Sequence, residues 1–333
     1  MKIILYLIFL ISLSGCRYNS ATEKYQKRTD KIVDVKDRVQ EIVIDSPLIA
    51  SWARICILSD YLIISDHQSR NHLIHIFDKR NFSCLAGVGH SGEGPDEITS
   101  IGITVPDERH RRFYVSDNGK RKILSYNLDS VLANPSYLPE HKVDMRDKQF
   151  PDRFVYIDDT LCIARSIIGK ENEVFRQELV KWNMKTGEMK PLFKGHPEIE
   201  RKRTNFAVSL KDSLIVECYI HHDLMTIHDF NGNLKCNIYG SKWDNRMSNE
   251  MTHYGDVFIC RDKIIAAYAG GHNWSDEQFA KCLLVYDLEG NYVKTLNVGY
   301  KICHFCYDQD TNRIIMYLED EIQFAYLDMD GLL

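Results

Sequence analysis

The stretch Tyr61–Asn81, YLIISDHQSRNHLIHIFDKRN, holds two short apolar runs, a polar break between them and an aspartate turn at the end. β-Branched and aromatic residues dominate both runs, so each reads as a strand, with the Asp78 region as the turn that follows. The same form recurs five more times. It appears as RFYVSDNGKRKILSYNLDS from Arg112, TLCIARSIIG…QELVKWNMKTGE from Thr160 and SLIVECYIHHDLMTIHDFNGN from Ser213. KIIAAYAGGHNWSDEQFAKCLLVYDLEGN from Lys263 and RIIMYLEDEIQFAYLDMDG from Arg313 complete the set. Successive starts lie about 50 residues apart, the spacing of a four-stranded propeller blade.

Each unit carries a strand on either side of its central pair. Before the pairs stand ARICIL, SIGITV, DRFVYI, NFAVSL, DVFICR and KICHFC. After them come FSCLAGV, MKPLF, LKCNIYG and YVKTLNV, with the outer strand of the second unit placed near His141–Met145. The sixth unit stops at Leu333 with three strands, and VQEIVID, Val39–Asp45, supplies a fourth. Pairing that N-terminal strand onto the last blade closes the ring and removes a sheet edge. The expectation is an all-β, six-bladed propeller over residues 38–333 closed by its N-terminal strand.

The N-terminus, MKIILYLIFLISLSGC, is one lysine, an apolar run too short to span a bilayer, and small residues before a cysteine. Leu13-Ser14-Gly15-Cys16 resembles a bacterial lipobox. The resemblance implies a signal peptide over residues 1–15, lipidation of Cys16 and a membrane anchor made of several acyl chains. Residues 16–37 are polar and mixed in charge, and are expected to form a tether without a core. No acidic cluster directly follows Cys16, which favours a periplasm-facing protein over one at the cell surface.

Net charge is −5 with no basic stripe, so nucleic acid is not an expected partner. The chain carries ten cysteines. Cys56, Cys162, Cys218, Cys260 and Cys303 lie within apolar strand runs, where a thiol acts as a small hydrophobe and not as half of a disulfide framework.

The strand, Ser-Asp, strand, Asp-x-x-Gly pattern (FYVSDNGKRKILSYNLDS; LLVYDLEGNYVKTLNVG) resembles NHL-like and TolB-like six-bladed propellers. With the lipobox and the loop at Gly87–Ile98, the whole chain is similar to the six-bladed propeller lipoproteins of gut Bacteroidetes. Those families show Gly-Pro-Gly-Glu where this chain has Gly94-Pro95-Asp96-Glu97. The resemblance implies a fold more than an activity.

Candidate chemistry is sparse. The glycine-rich loop GVGHSGEGPDEI lacks phosphate-loop spacing and a following lysine or helix, and reads as the crossover from blade 1 to blade 2. Gly92 and Gly94 are able to take positive φ there, Pro95 biases Gly94 towards extended geometry, and Glu93, Asp96 and Glu97 are expected to face the funnel or bond the loop. Asp308-Gln-Asp310-Thr-Asn312 begins like a calcium loop, with Glu319 at the twelfth position. Arg313 replaces the required glycine, so a turn is expected. Cys303 and Cys306 should face opposite ways on a strand, as should His221 and His222, and neither pair has partners for a metal site. The recurring Asp78, Asp129, Asp229, Asp287 and Asp328 read as turn formers.

More open are the ends of the second strands, which in a propeller meet at one rim: Asp66 and His67, Asp117 and Asn118, Arg165, Glu217 and Tyr219, Tyr268, and Glu319. These, with the three loop acids, are the candidate ligand residues. No G-x-S-x-G elbow, cofactor loop or metal set is present in the sequence. The expectation is a monomeric, non-catalytic, membrane-tethered module with no cofactor that binds a glycan, peptide or envelope protein. The resemblance also implies an alternative, a Ca²⁺-dependent hydrolase or lactonase, since similar folds hold the ion on their axis through Glu, Asn and Asp. A role beside an outer-membrane uptake machine is a third reading.

Overall fold

The computed structural model describes residues 22–134, 136–145, 149–169, 175–246 and 249–333. The signal segment 1–15 and Cys16 lie outside the described residues.

The six repeats form six antiparallel blades. Blade 1 is Ala53–Leu58, Tyr61–Asp66, His72–Asp78 and Cys84–His90. Blade 2 is Ile101–Asp107, Arg112–Asp117, Lys122–Asn127 and Glu140–Asp144, and blade 3 is Gln149–Asp158, Leu161–Ile168, Arg176–Asn183 and Glu188–Pro191. Blade 4 is Thr204–Ser209, Leu214–Tyr219, Leu224–Asp229 and Leu234–Tyr239. Blade 5 begins Met251–Cys260, Lys263–His272 and Ala280–Asp287. The long strand Tyr292–Asp308 is the outer strand of blade 5 and then the inner strand of blade 6. Gly299, at φ +75°, lies within that passage, in a conformation that suits glycine. Blade 6 continues with Arg313–Leu318 and Phe324–Asp328.

The closing strand is Val39–Glu41, paired antiparallel as Ala325↔Glu41, Tyr326↔Gln40 and Leu327↔Val39. It is shorter than the segment Val39–Asp45. Ile42 still donates its backbone N–H to Phe324 O at 2.8 Å and is buried between blades 6 and 1.

The second strands explain why their sequences are so continuously apolar. Successive residues point to opposite faces of a sheet, and here both faces are covered by neighbouring blades. Ile63 packs towards blade 2 and Ile64 towards blade 6. Ile314 and Met316 face blade 5, whereas Ile315 and Tyr317 face blade 1. One apolar cluster fills each of the six interfaces, and the cysteines join them: Cys162 at blades 2–3, Cys218 and Cys236 at blades 4–5, Cys260 at blades 5–6. The nine cysteines among the described residues are free thiols.

Three local expectations change. Residues 23–25 and 32–34, read as tether, are parallel fifth strands: Glu23–Tyr25 against Asn237–Tyr239 and Ile32–Asp34 against Thr295–Asn297. Their polar composition suits an outer edge strand, which needs backbone partners but few buried side chains. Val35, 1 % exposed, is the apolar anchor that follows. Asp129, read as a turn former, lies in a short helix, Leu128–Ala133, that precedes the outer strand of blade 2. Asn127 caps that helix by accepting from Ser130 N at 2.9 Å, and Asp129 pairs with Arg111. Cys303 and Cys306 pack on the same cluster, because a bulge between Ile302 and His304 shifts the alternation by one.

The D-x-D-x-N segment is the turn between the first two strands of blade 6. Its carboxylates hold an ammonium: Lys79 Nζ lies 2.9 Å from Asp308 Oδ1 and 2.6 Å from Asp310 Oδ2. Lys79 belongs to blade 1, so the pair bridges the seam where the ring closes, with both Lys79 and Asp308 side chains 1 % exposed. Breaking a buried pair strands the remaining charge. Lys79→Met is therefore expected to cost about 3–5 kcal/mol in urea unfolding. Arg80→Ala, which removes the exposed pair with Asp60, should cost under about 1 kcal/mol.

Candidate functional site: a charged layer in the channel mouth

The six inner strands line a central cavity of about 410 Å³. Below its mouth the lining mixes apolar residues such as Phe154, Val257 and Phe305 with polar ones such as Ser65, Thr104 and Gln309. The mouth is different. Near the start of five of the six inner strands, on the face shared with the second-to-third-strand loops, polar residues stand in equivalent places: Arg54, Asp152 and Arg153, Asn205, Asp256 and His304.

Bulges flank those of blades 3, 5 and 6, and blade 2 is bulged at the same end. The pairing of inner with second strand shifts register between Ile101 and Thr104, Pro151 and Arg153, Tyr254 and Val257, and Ile302 and His304. A bulge re-aims the side chains beside it. Four of the six inner strands therefore break their alternation at the same end of the channel.

The residues form one network. Arg153 Nη1 donates to Asp256 Oδ1 at 2.6 Å and to Asn205 Oδ1 at 3.3 Å. Arg165, on the second strand of blade 3, makes a two-pronged pair with Asp152 at 2.9 and 2.6 Å. Its remaining Nη1 reaches Asn205 Oδ1 at 3.1 Å and the Thr204 carbonyl. Asn205 Nδ2 donates to Gly255 O at 2.9 Å, and His304 Nε2 lies 3.1 Å from Asp256 Oδ2. Blades 3, 4 and 5 are thus joined by ion pairs and hydrogen bonds, and His304 of blade 6 stands against the Asp256 carboxylate. Arg54, from blade 1, faces the same layer, and no hydrogen bond or ion pair among the described residues engages its guanidinium.

Burial alone would raise the Asp256 carboxyl, but Arg153 and His304 outweigh it and hold the group well below the usual carboxylate range. Burial, aided by the charge on Arg153, pulls Arg54 below its ordinary value. Burial also pushes His304 and His67 down to about 4, so both are neutral at pH 7. The thiols lining the channel offer no nucleophile: burial raises Cys56 to about 12 and Cys306 well above its ordinary value.

Of the residues expected from sequence, Arg165 and His67 belong to this layer or its edge. The His67 ring stacks on Trp52 at 4.8 Å, and its buried Nε2 has no hydrogen-bond partner. Asp66 and Asp117 instead clamp loops. Asp66 accepts from Ala50 N and Gln68 N at 2.9 Å. Asp117 accepts from Thr99 N at 3.0 Å and Ser100 N at 3.1 Å. Glu217 is buried, held by Lys202 at 2.7 Å and Thr204 Oγ1 at 2.8 Å. Tyr219 is buried beneath it, Tyr268 donates to Asp223 Oδ2 at 3.2 Å, and Glu319 is exposed beside Cys303.

In the crossover loop Glu93 and Asp96 are exposed, and Glu97 folds back to accept from Gly94 N at 2.8 Å. Positive φ falls on Gly89 and not on Gly92 or Gly94. A Cβ at Gly92 would lie 1.9 Å from Glu97 Oε2, so a side chain there would displace the Glu97 carboxylate from its bond to Gly94 N. Lys120 Nζ closes the loop by donating to Glu97 O at 2.6 Å.

Sequence reading placed the second-strand ends at the rim but passed over Arg54, Asp152, Arg153, Asn205, Asp256 and His304. Their signal is a charged or amide residue within the first positions of otherwise apolar inner strands, visible once the six strands are aligned.

Residues 43–243, more than half of the chain, match the family model described as a 6-bladed beta-propeller, DUF5128. The chain belongs to that family. No curated protein matches it in sequence. Among solved structures it is similar to a DUF4221-family member from Bacteroides vulgatus, at 11 % identity and TM-score 0.61, covering 88 % of this chain and 98 % of that one. A Bacteroides fragilis protein described as exported gives 10 % identity and TM-score 0.58, covering 92 % and 99 %. A gluconolactonase from Xanthomonas campestris gives 9 % identity and TM-score 0.52, covering 84 % and 86 %. At these identities the likeness is one of fold.

The buried histidines set a pH dependence. Burial holds His67, His228, His253 and His304 at about 4, whereas the unfolded chain protonates them near 6.5. Between those values the unfolded chain binds more protons, so stability falls as pH is lowered through this window. Asp256, depressed in the folded state, adds a further loss below the ordinary carboxylate range. The urea midpoint is expected to be lower at pH 5 than at pH 7.5, and the difference should shrink in His304→Gln.

Proposed function

We propose that this propeller is an envelope binding module, lipid-anchored at Cys16, that captures a glycan, peptide or protein partner on the face holding the charged mouth. The observation that carries the reading is the placement of exposed aromatic side chains around that mouth. Trp52 is 55 % exposed at the start of blade 1, and Trp274 is 90 % exposed in the second-to-third-strand loop of blade 5. Phe175, 67 % exposed, borders the corresponding loop of blade 3. Large aromatics open to solvent on a rigid scaffold are characteristic of binding surfaces. The signal-like segment with its lipobox supports the envelope location. Among the described residues no helix is long and apolar enough to cross a membrane.

A Ca²⁺-dependent hydrolase or lactonase fits the mouth less well. Asp256 and Asp152 are engaged by Arg153 and Arg165, and three guanidiniums outnumber the two carboxylates. A divalent cation there would meet net repulsion. Among the described residues no group of three or more His, Cys, Asp or Glu is arranged to hold a metal ion.

The purified domain, probed on arrays of envelope glycans and peptides, is expected to retain specific binders that Trp52→Ala/Trp274→Ala loses by at least about tenfold. Turnover of lactone substrates by the same preparation would overturn the reading. Separately, Cys16→Ala should move the protein from the membrane to the soluble fraction, and an unmodified Cys16 mass would refute the anchor.

A further inference from the structure

The charged layer carries an imbalance that its own side chains do not resolve. Arg165 is fully committed to Asp152, Thr204 and Asn205, and Arg153 to Asp256 and Asn205. Arg54 adds a third guanidinium, half-buried in the channel wall, with no hydrogen bond or ion pair among the described residues. The two histidines nearby are held neutral and so do not add to the charge, while Nε2 of His67 and Nδ1 of His304 are buried without partners. A guanidinium so placed has lost part of its water and gained a like-charged neighbour. That arrangement is stable at little cost only when an anion completes it.

We propose that Arg54 and the channel mouth form a binding site for a small organic monocarboxylate, whose head pairs with the Arg54 guanidinium and whose body enters the channel below. The inference rests on the reading that this face is the binding face, and names a ligand class for its centre. A carboxylate matches the planar donor fork of arginine with two parallel hydrogen bonds. The excess of three guanidiniums over two carboxylates matches a single negative charge. A phosphate dianion would exceed it and would also face Asp256, whose Oδ2 accepts no hydrogen bond in the layer. The cavity of about 410 Å³ is within the range of small-molecule pockets, and its mixed lining, from Phe154, Val257 and Phe305 to Ser65 and Thr104, has room for a small organic body.

The test is a titration of the purified domain with benzoate and hexanoate, with inorganic phosphate and the neutral benzyl alcohol as controls, read by calorimetry and by thermal midpoint. Saturable binding of a carboxylate at 1:1 is expected, with phosphate and benzyl alcohol at least about tenfold weaker. Arg54→Gln should abolish that binding while leaving the ligand-free midpoint unchanged or higher, because it removes a desolvated charge next to Arg153. A guanidinium with a purely structural role would instead lower the midpoint. No carboxylate binding by the wild type, or an unchanged response in Arg54→Gln, would overturn the proposal. Trp274→Ala, at the rim and outside the cavity lining, should keep the carboxylate response even where it loses array binding. The two readings therefore fail separately: carboxylate binding without array binders removes the partner-capture reading alone, and array binders without carboxylate binding remove this one alone.

Discussion

Everything in this molecule depends on three residue pairs at the seam, Leu327↔Val39, Tyr326↔Gln40 and Ala325↔Glu41. The last blade gains its fourth strand only from the first part of the chain, which ties the two ends of the ring together. That pairing is entropically expensive, because it joins residues nearly 290 positions apart. It is reinforced by groups that act only once the ring is shut. Lys79 of blade 1 reaches the Asp308 turn of blade 6, Gln323 donates to Ile49 O and Ala50 O, and Arg38 bonds the last carbonyls at Asp328 and Asp330. The seam is thus polar at its rims and apolar between, where Ile42, Phe324 and Ile315 meet Ile55 and Ile64.

Closure also decides what the channel can be. Six inner strands brought together leave a lumen of fixed width, and side chains at their starts are forced into one small layer. Charges that would be unremarkable on separate sheets become neighbours there. Arg153 of blade 3 meets Asp256 of blade 5 across Asn205 of blade 4, and His304 of blade 6 stands against the same carboxylate. The layer couples blades far apart in sequence, at the end of the fold where loops present exposed aromatics.

The N-terminal strap adds a physical constraint on any anchor. Residues 23–25 and 32–34 run along the outer edges of blades 4 and 5 before the chain enters blade 6. Lys24 Nζ donates to Asn291 Oδ1 at 2.8 Å and Tyr239 OH to Glu23 Oε2 at 2.5 Å, so the strap is fixed by side chains as well as backbone. A lipid on Cys16 would then hold the propeller from the rim of blade 4, with only residues 17–21 between the anchor and the described body.

The sequence by itself determined the number of blades, their four-stranded form and the closing strand, because burial of both sheet faces writes a near-continuous apolar run into every second strand, at a fixed period. It also marked Arg165 and His67, which lie in the charged layer or at its edge. It could not tell that Asp66 and Asp117 at the rim clamp loop amides, because an aspartate at a strand end looks the same whether it does so or faces a ligand. It missed the strap because edge strands are held through backbone groups that any polar sequence possesses. The charged layer was decided by the tertiary structure alone. Bulges near Arg153, Asp256 and His304 override the two-residue alternation by which a strand is read. Only closure of the ring sets the distance between a guanidinium on one blade and a carboxylate two blades away.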